Sequence, residues 1–201
     1  MRFILSLLMC LISFGVFAQE SKVIKHYSFL GIEMNMKVDE FAIKLIQEKG
    51  YEVLYVPDDS TAYILGGQFA GIEDCKIFVL GTPKTKTVWK VAVSFPDKKS
   101  WYSVKSDYIK LVDSYKKKYG KPDIHKEFFT SPYEDGDGYE MTAISLEKCH
   151  YITIFEKDDV MIGINIDNGN NRTAHVMVTY EDIINKKLTE KEKNEIIDDD
   201  I

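Results

Sequence analysis

Apolar positions recur at three- and four-residue spacing in two stretches of the chain and alternate with polar ones through most of the remainder. Val38, Phe41, Ala42, Leu45 and Ile46 fall on one face if residues 37–49 are helical, and Gly50 supplies a stop. A longer stripe, Trp101, Val104, Tyr108, Leu111, Val112, Tyr115 and Tyr119, predicts a helix over 101–119, with Ser100 as N-cap and Gly120 and Pro122 ending it. Four β-runs are expected after the first helix, at 51–56, 62–69, 72–80 and 87–95. Five are expected after the second, at 123–130, 139–146, 149–156, 160–166 and 173–180. Ahead of the first helix, Ile24 to Leu30 reads as an edge strand or extended arm ending at Gly31.

This order, one helix and then a run of strands, occurs twice. Ile72-Glu73-Asp74-Cys75-Lys76-Ile77 echoes Leu146-Glu147-Lys148-Cys149-His150-Tyr151, and Val91 to Phe95 echoes Val176 to Tyr180. Aligning Gly50 with Gly120 also matches Phe41 to Leu111, Ala42 to Val112 and Leu45 to Tyr115. Alternation such as Val91, Val93 and Phe95 puts one strand face toward a helix and leaves the other to water or a partner. The fold class expected is therefore α+β, as two tandem helix-plus-antiparallel-sheet repeats that can join into one continuous sheet. Residues 19–99 form the first repeat, 100–180 the second, and 181–201 a helical or frayed tail. Within that tail Thr189-Glu190-Lys191-Glu192 has the pattern of a capping box, and Ile196, Ile197 and Ile201 are candidates to dock it. The second copy is longer, with extra residues around 133–138 and 157–172.

The N-terminus changes the setting. Arg2, the apolar run Phe3 to Val16 and the small-residue pattern Val16-Phe17-Ala18 read as an export signal over 1–18, cut after Ala18. Cys10 lies mid-core without a small residue before it, so lipidation is not the expectation. No later segment approaches the roughly 20 apolar residues of a spanning helix, and the expected location is the periplasm or the exterior. The 201 residues carry 26 basic and 32 acidic side chains, a net charge of −6. An acidic chain lacks the basic footprint that nucleic acid requires.

Candidate chemistry is sparse. No nucleophile elbow, phosphate-cradling loop, zinc-protease helix, Cys-x-x-Cys or cofactor-binding motif is present, so no catalytic, cofactor or metal residue is assigned. After signal removal Cys75 and Cys149 remain, which allows one disulfide; the alternative is two small buried strand residues. His26, His125, His150 and His175 are isolated, although His150 and His175 could meet across strands. Glu134 to Glu140 faintly resembles a calcium loop but reads better as a turn. Among 11 Phe, 12 Tyr and 2 Trp, the strand aromatics Trp89, Phe69, Tyr63 and Phe78 are candidate interface anchors, with half-buried packing as the alternative.

Several segments resemble a set of uncharacterised exported proteins of Gram-negative gut bacteria: Phe29-Leu30-Gly31-Ile32, Lys49-Gly50-Tyr51, Gly67-Gln68-Phe69-Ala70-Gly71, Val91 to Pro96 with Trp101, and Lys118 to Pro122. In topology the tandem order resembles the β-lactamase-inhibitor-like fold, which implies two units sharing one concave sheet. Neither resemblance carries a functional residue. The expected function is an exported binding protein that uses an open sheet face, with a protein partner first and a glycan second. The rivals are a hydrolase using carboxylates such as Glu73, Asp74, Glu147 or Glu140, and a structural component of the cell envelope.

Overall fold

A computed structural model describes residues 25–200; the expected export signal, Cys10 and Ile201 lie outside the described residues. The first described elements form a small hairpin, β1 (Ser28–Phe29) and β2 (Ile32–Glu33), turned by Leu30 and Gly31 with φ of 51° and 84°. Helix α1 (Val38–Lys49) leads into β3 (Glu52–Tyr55), β4 (Ala62–Phe69), β5 (Ile72–Gly81) and β6 (Val88–Ser94). Helix α2 (Trp101–Tyr119) leads into β7 (Ile124–Phe129), α3 (Glu140–Ser145), β8 (Cys149–Glu156), β9 (Val160–Asn168) and β10 (Ala174–Asp182), and α4 (Ile183–Asp200) is the last described element. Beside the hairpin there is one eight-stranded antiparallel sheet in the order β3-β4-β5-β6-β10-β9-β8-β7. The fold is α+β.

Helices α1 and α2 form for the reasons legible in their sequences. Val38, Phe41, Ala42 and Leu45 are the buried residues of α1, and Gly50 at φ 74° returns its N–H to Ile46 O at 3.1 Å. Ser100 caps α2 by accepting from Ser103 N, and Val104, Tyr108, Leu111 and Val112 are buried. Helix α1 packs on β4 and β5, and α2 on β9 and β10, so the two share one sheet face. That face supplies the alternate positions Leu65, Cys75, Ile77, Val79, Val91, Val93, Val176, Val178, Ile162 and Ile164, which merge with the helix stripes into one core. Each such side chain taken from water contributes roughly 1.5–3 kcal/mol. The hairpin ties the halves together: Phe29 stacks on Phe69 of β4 at 5.7 Å and meets the edge of Tyr180 of β10 at 5.1 Å.

Residues 139–146 are not the strand expected of them. They form α3, whose buried residues Glu140, Ala143 and Ile144 are spaced by three and four. Glu140 holds the preceding turn by accepting from Gly136 N at 2.7 Å. With that run helical, four strands follow each of α1 and α2; Cys75 is in β5, the third strand after α1, and Cys149 opens β8, the second after α2.

The tail also differs in detail. Its helix starts at Ile183 because Asp182, not Thr189, accepts from the N–H three residues on, Asn185 N at 2.8 Å. Thr189 instead bonds Asn185 O, and Glu192 reaches the β5–β6 connection, accepting from Lys84 N at 2.7 Å and from the Thr85 hydroxyl at 2.7 Å. The helix is thus held by buried Asn185, Thr189 and Glu192, while Ile197 is exposed.

Candidate functional site on the open sheet face

Strand pairing sorts every sheet residue to one face or the other. Opposite the helices, the register aligns Tyr55, Ile64, Phe78, Ala92, Thr179, Gly163, Ile154 and Ile124 into a single row across all eight strands. No member is charged. All but Ala92 keep solvent exposure, from half-buried Phe78 to Tyr55 at 58%. The middle of the row, Ala92, Thr179 and Gly163, is small and its flanks are large. Gly163 is needed there, since a Cβ would stand 2.8 Å from Thr179 Oγ1. The adjacent row is amphipathic: Glu52, Gly66, Lys76, Ser94, Met177, Asn165, Ile152 and Lys126.

Where the central strands end, the face deepens into a polar cavity of about 610 Å³ lined by Asp74, Lys76, Phe78, Ser94, Asp97, Asp167, His175 and Met177, among others. His175 Nδ1 lies 3.0 Å from Asp97 Oδ1. Asp167 lies near the end of β9, paired with His175 of β10, within the 157–172 stretch that lengthens the second half. At the other end of the central strands, Lys90 of β6 pairs with Glu181 of β10 at 3.0 Å, and Lys186 of α4 reaches the same carboxylate at 2.7 Å. Burial opposes ionisation of Glu181, but hydrogen bonds from Lys186 and Lys90 outweigh it and hold its pKa below the usual value.

The four aromatic candidates separate. Phe78 lies on the open face. Phe69 is buried against Phe29 and Phe95, and Tyr63, opposite Val79, packs against the core, so both belong to the helix side. Trp89 is half-buried where the β5–β6 register shifts, its ring beneath the Lys90 ammonium at 5.6 Å. Sequence reasoning missed Ile64, Ile152, Ile154 and Met177, which carry more of this face than the aromatics do.

Other candidates are also resolved by position. Cys75 and Cys149 are free, on strands four spacings apart, or ~19 Å. A bridge needs Cα atoms within about 7 Å. Burial pushes the Cys149 thiol up to about 12 and raises that of Cys75, so both stay protonated at neutral pH. His150 and His175 are separated by β9 and turn to other partners, Thr130 Oγ1 at 2.7 Å and Asp97. Glu73 and Asp74 lie on β5, whereas Glu140 and Glu147 lie on and just after α3, beside β8 and β9; the structure does not bring the two pairs together. In the 133–138 turn, Asp135 accepts from Trp101 Nε1 at 2.7 Å and pairs with Lys105 of α2, while Asp137 accepts from Tyr139 N at 2.7 Å. Those carboxylates serve the local fold.

No protein-family model matches this chain, and neither a curated protein nor a solved structure matches it. Among the described residues, no helix is long and apolar enough to cross a membrane.

Proposed function

We propose that this is an exported binding protein that engages a protein partner across the open sheet face. The observation that carries the reading is the uncharged row running over all eight strands, in which every member but buried Ala92 keeps some solvent exposure. Its dimensions favour a protein over a small molecule. Seven strand spacings span ~34 Å and the exposed strand length is ~20 Å, so the face offers roughly 700 Å². One side of a standard protein interface buries about 800 Å². The partner's chemistry follows from the charges: Asp74, Asp97 and Asp167 line the central cavity against a single lysine, Lys76. A partner with an Arg or Lys at its centre and aliphatic residues around it complements that pattern. A glycan would be expected to stack on exposed aromatic rings, and most of this row is aliphatic or small.

We further read the two halves as copies of one helix-plus-four-strand unit, in the manner of the β-lactamase-inhibitor-like fold. Support comes from the central pair of strands. Equating Val91–Phe95 with Val176–Tyr180 makes Val93 equivalent to Val178, and those two residues face each other. Val91 faces Tyr180, and Phe95 N bonds Val176 O at 3.0 Å, the symmetric counterpart. A two-fold axis through Val93 and Val178 generates this register.

The test is site-specific photocrosslinking in the host envelope. A photoreactive residue replacing Phe78 or Ile152 is expected to give a discrete adduct with another protein, and one replacing Ile109 on the exposed surface of α2 is not. Adducts from position 109 alone, adducts only with a second copy of this chain, or none at all would overturn the reading.

A further inference from the structure

On the opposite side of the sheet, the β1–β2 hairpin and α2 enclose a second cavity, of about 390 Å³, walled by aromatic rings. Tyr27 stacks on Tyr180 with centroids 5.8 Å apart, and Tyr115 on Tyr119 at 5.7 Å. The four phenol oxygens meet in pairs: Tyr27 with Tyr119 at 3.2 Å, and Tyr115 with Tyr180. Two hydroxyls joined by one hydrogen bond use one of their two protons, so each pair retains an O–H able to donate elsewhere. Burial pushes the Tyr115 hydroxyl up to about 12 and raises Tyr27 and Tyr180 as well, which keeps these groups as neutral donors. Among the described residues none that lines the cavity is acidic, and its one charged side chain is Lys118, whose ammonium stands 4.9 Å from the Tyr119 ring centroid.

We propose that this cavity binds a small amphipathic carboxylate, its apolar body held between the rings and its head group facing the spare phenol protons and Lys118. The volume lies within the range of small-molecule sites, and apolar walls with a few convergent donors are their usual make-up. Rings alone would equally suit a ligand ammonium through cation–π attraction. Here Lys118 already stands over one ring and repels a second cation, so charge decides for an anion. A purely apolar ligand is disfavoured because it would strip water from the free phenol protons without replacing their acceptors.

Three probes with one body and different heads test this: 4-phenylbutyrate, 4-phenyl-1-butanol and 4-phenylbutylamine, titrated calorimetrically into the folded chain. The carboxylate is expected to saturate one site with a Kd below about 1 mM, with the alcohol and amine at least ~5-fold weaker. Lys118→Gln, at an exposed helix position, should weaken the carboxylate ~5-fold and leave the alcohol unchanged. Tyr119→Phe, which keeps the ring and removes a donor, should also weaken the carboxylate. Absence of carboxylate binding, an amine or alcohol that binds as tightly, or indifference to Lys118→Gln would each overturn the proposal. None of these residues belongs to the open sheet face, so failure here leaves the protein-binding reading standing.

Discussion

At the scale of single residues, the decisive interactions are buried polar ones. Glu192 is 3% exposed and accepts from the backbone and hydroxyl of the β5–β6 connection. Burial opposes its charge, yet hydrogen bonds from Thr85 and Lys84 prevail and hold its pKa down. Glu192→Ala should cost roughly 1–3 kcal/mol in urea denaturation, since it leaves donors unpaired. Because Glu181 and Glu192 both ionise more readily in the folded state, their contribution is complete above the usual value of 4.5 and is lost as pH falls through the lower folded-state values. Stability should therefore drop as pH falls below 4.5, and drop less in Glu192→Ala; an unchanged slope would refute the assignment. The cysteines give a second test. Alkylation in denaturant without reductant should add two adducts at Cys75 and Cys149, and native protein should react slowly; recovery of an intact bridge would contradict the strand order. Both residues stand out in the sequence as strand cysteines, but their separation depends on pairing order, which no local pattern encodes.

At the scale of elements, α1 and α2 were legible and strand faces were not. The stripes of α1 and α2 specify them fully, down to the caps at Ser100 and Gly50. Strand β4 is apolar on both sides, with Tyr63 and Leu65 on one and Ile64 on the other, so alternation alone could not say which faced the helices. That ambiguity is why Phe69 and Tyr63 read as interface anchors while Ile64 and Ile154 went unnoticed. Over six residues a helix and a strand leave similar patterns, which hid α3. The β3–β4 edge carries its own prediction. A Cβ at Gly67 would lie 2.5 Å from the ring of Tyr51, itself buried and donating its hydroxyl to Gln68 O at 2.7 Å. Gly67→Ala should destabilise by about 1–3 kcal/mol through overpacking, whereas Gly71→Ala, with open space around it, should cost only its positive-φ strain. Equal losses in paired thermal melts would argue against that packing.

At the scale of the molecule, eight strands meet in one sheet because the last strand of each half, β6 and β10, pair at the centre. Helices α1 and α2 cover one face, and the uncharged row on the other is continuous only through that central pairing. An exposed apolar surface of this extent usually marks an interface. Sequence reasoning anticipated an open face from strand alternation, but the row's membership required register across all eight strands. The most direct measurement compares wild-type protein with the double variant Phe78→Asp, Ile152→Asp as immobilised bait for host envelope proteins, with matched far-UV circular dichroism and melting temperature as the check on folding. The account predicts a defined partner that wild type retains, that the double variant loses by at least ~10-fold, and that Lys118→Gln retains. Equal retention by the double variant, or no partner retained by wild type, would contradict it.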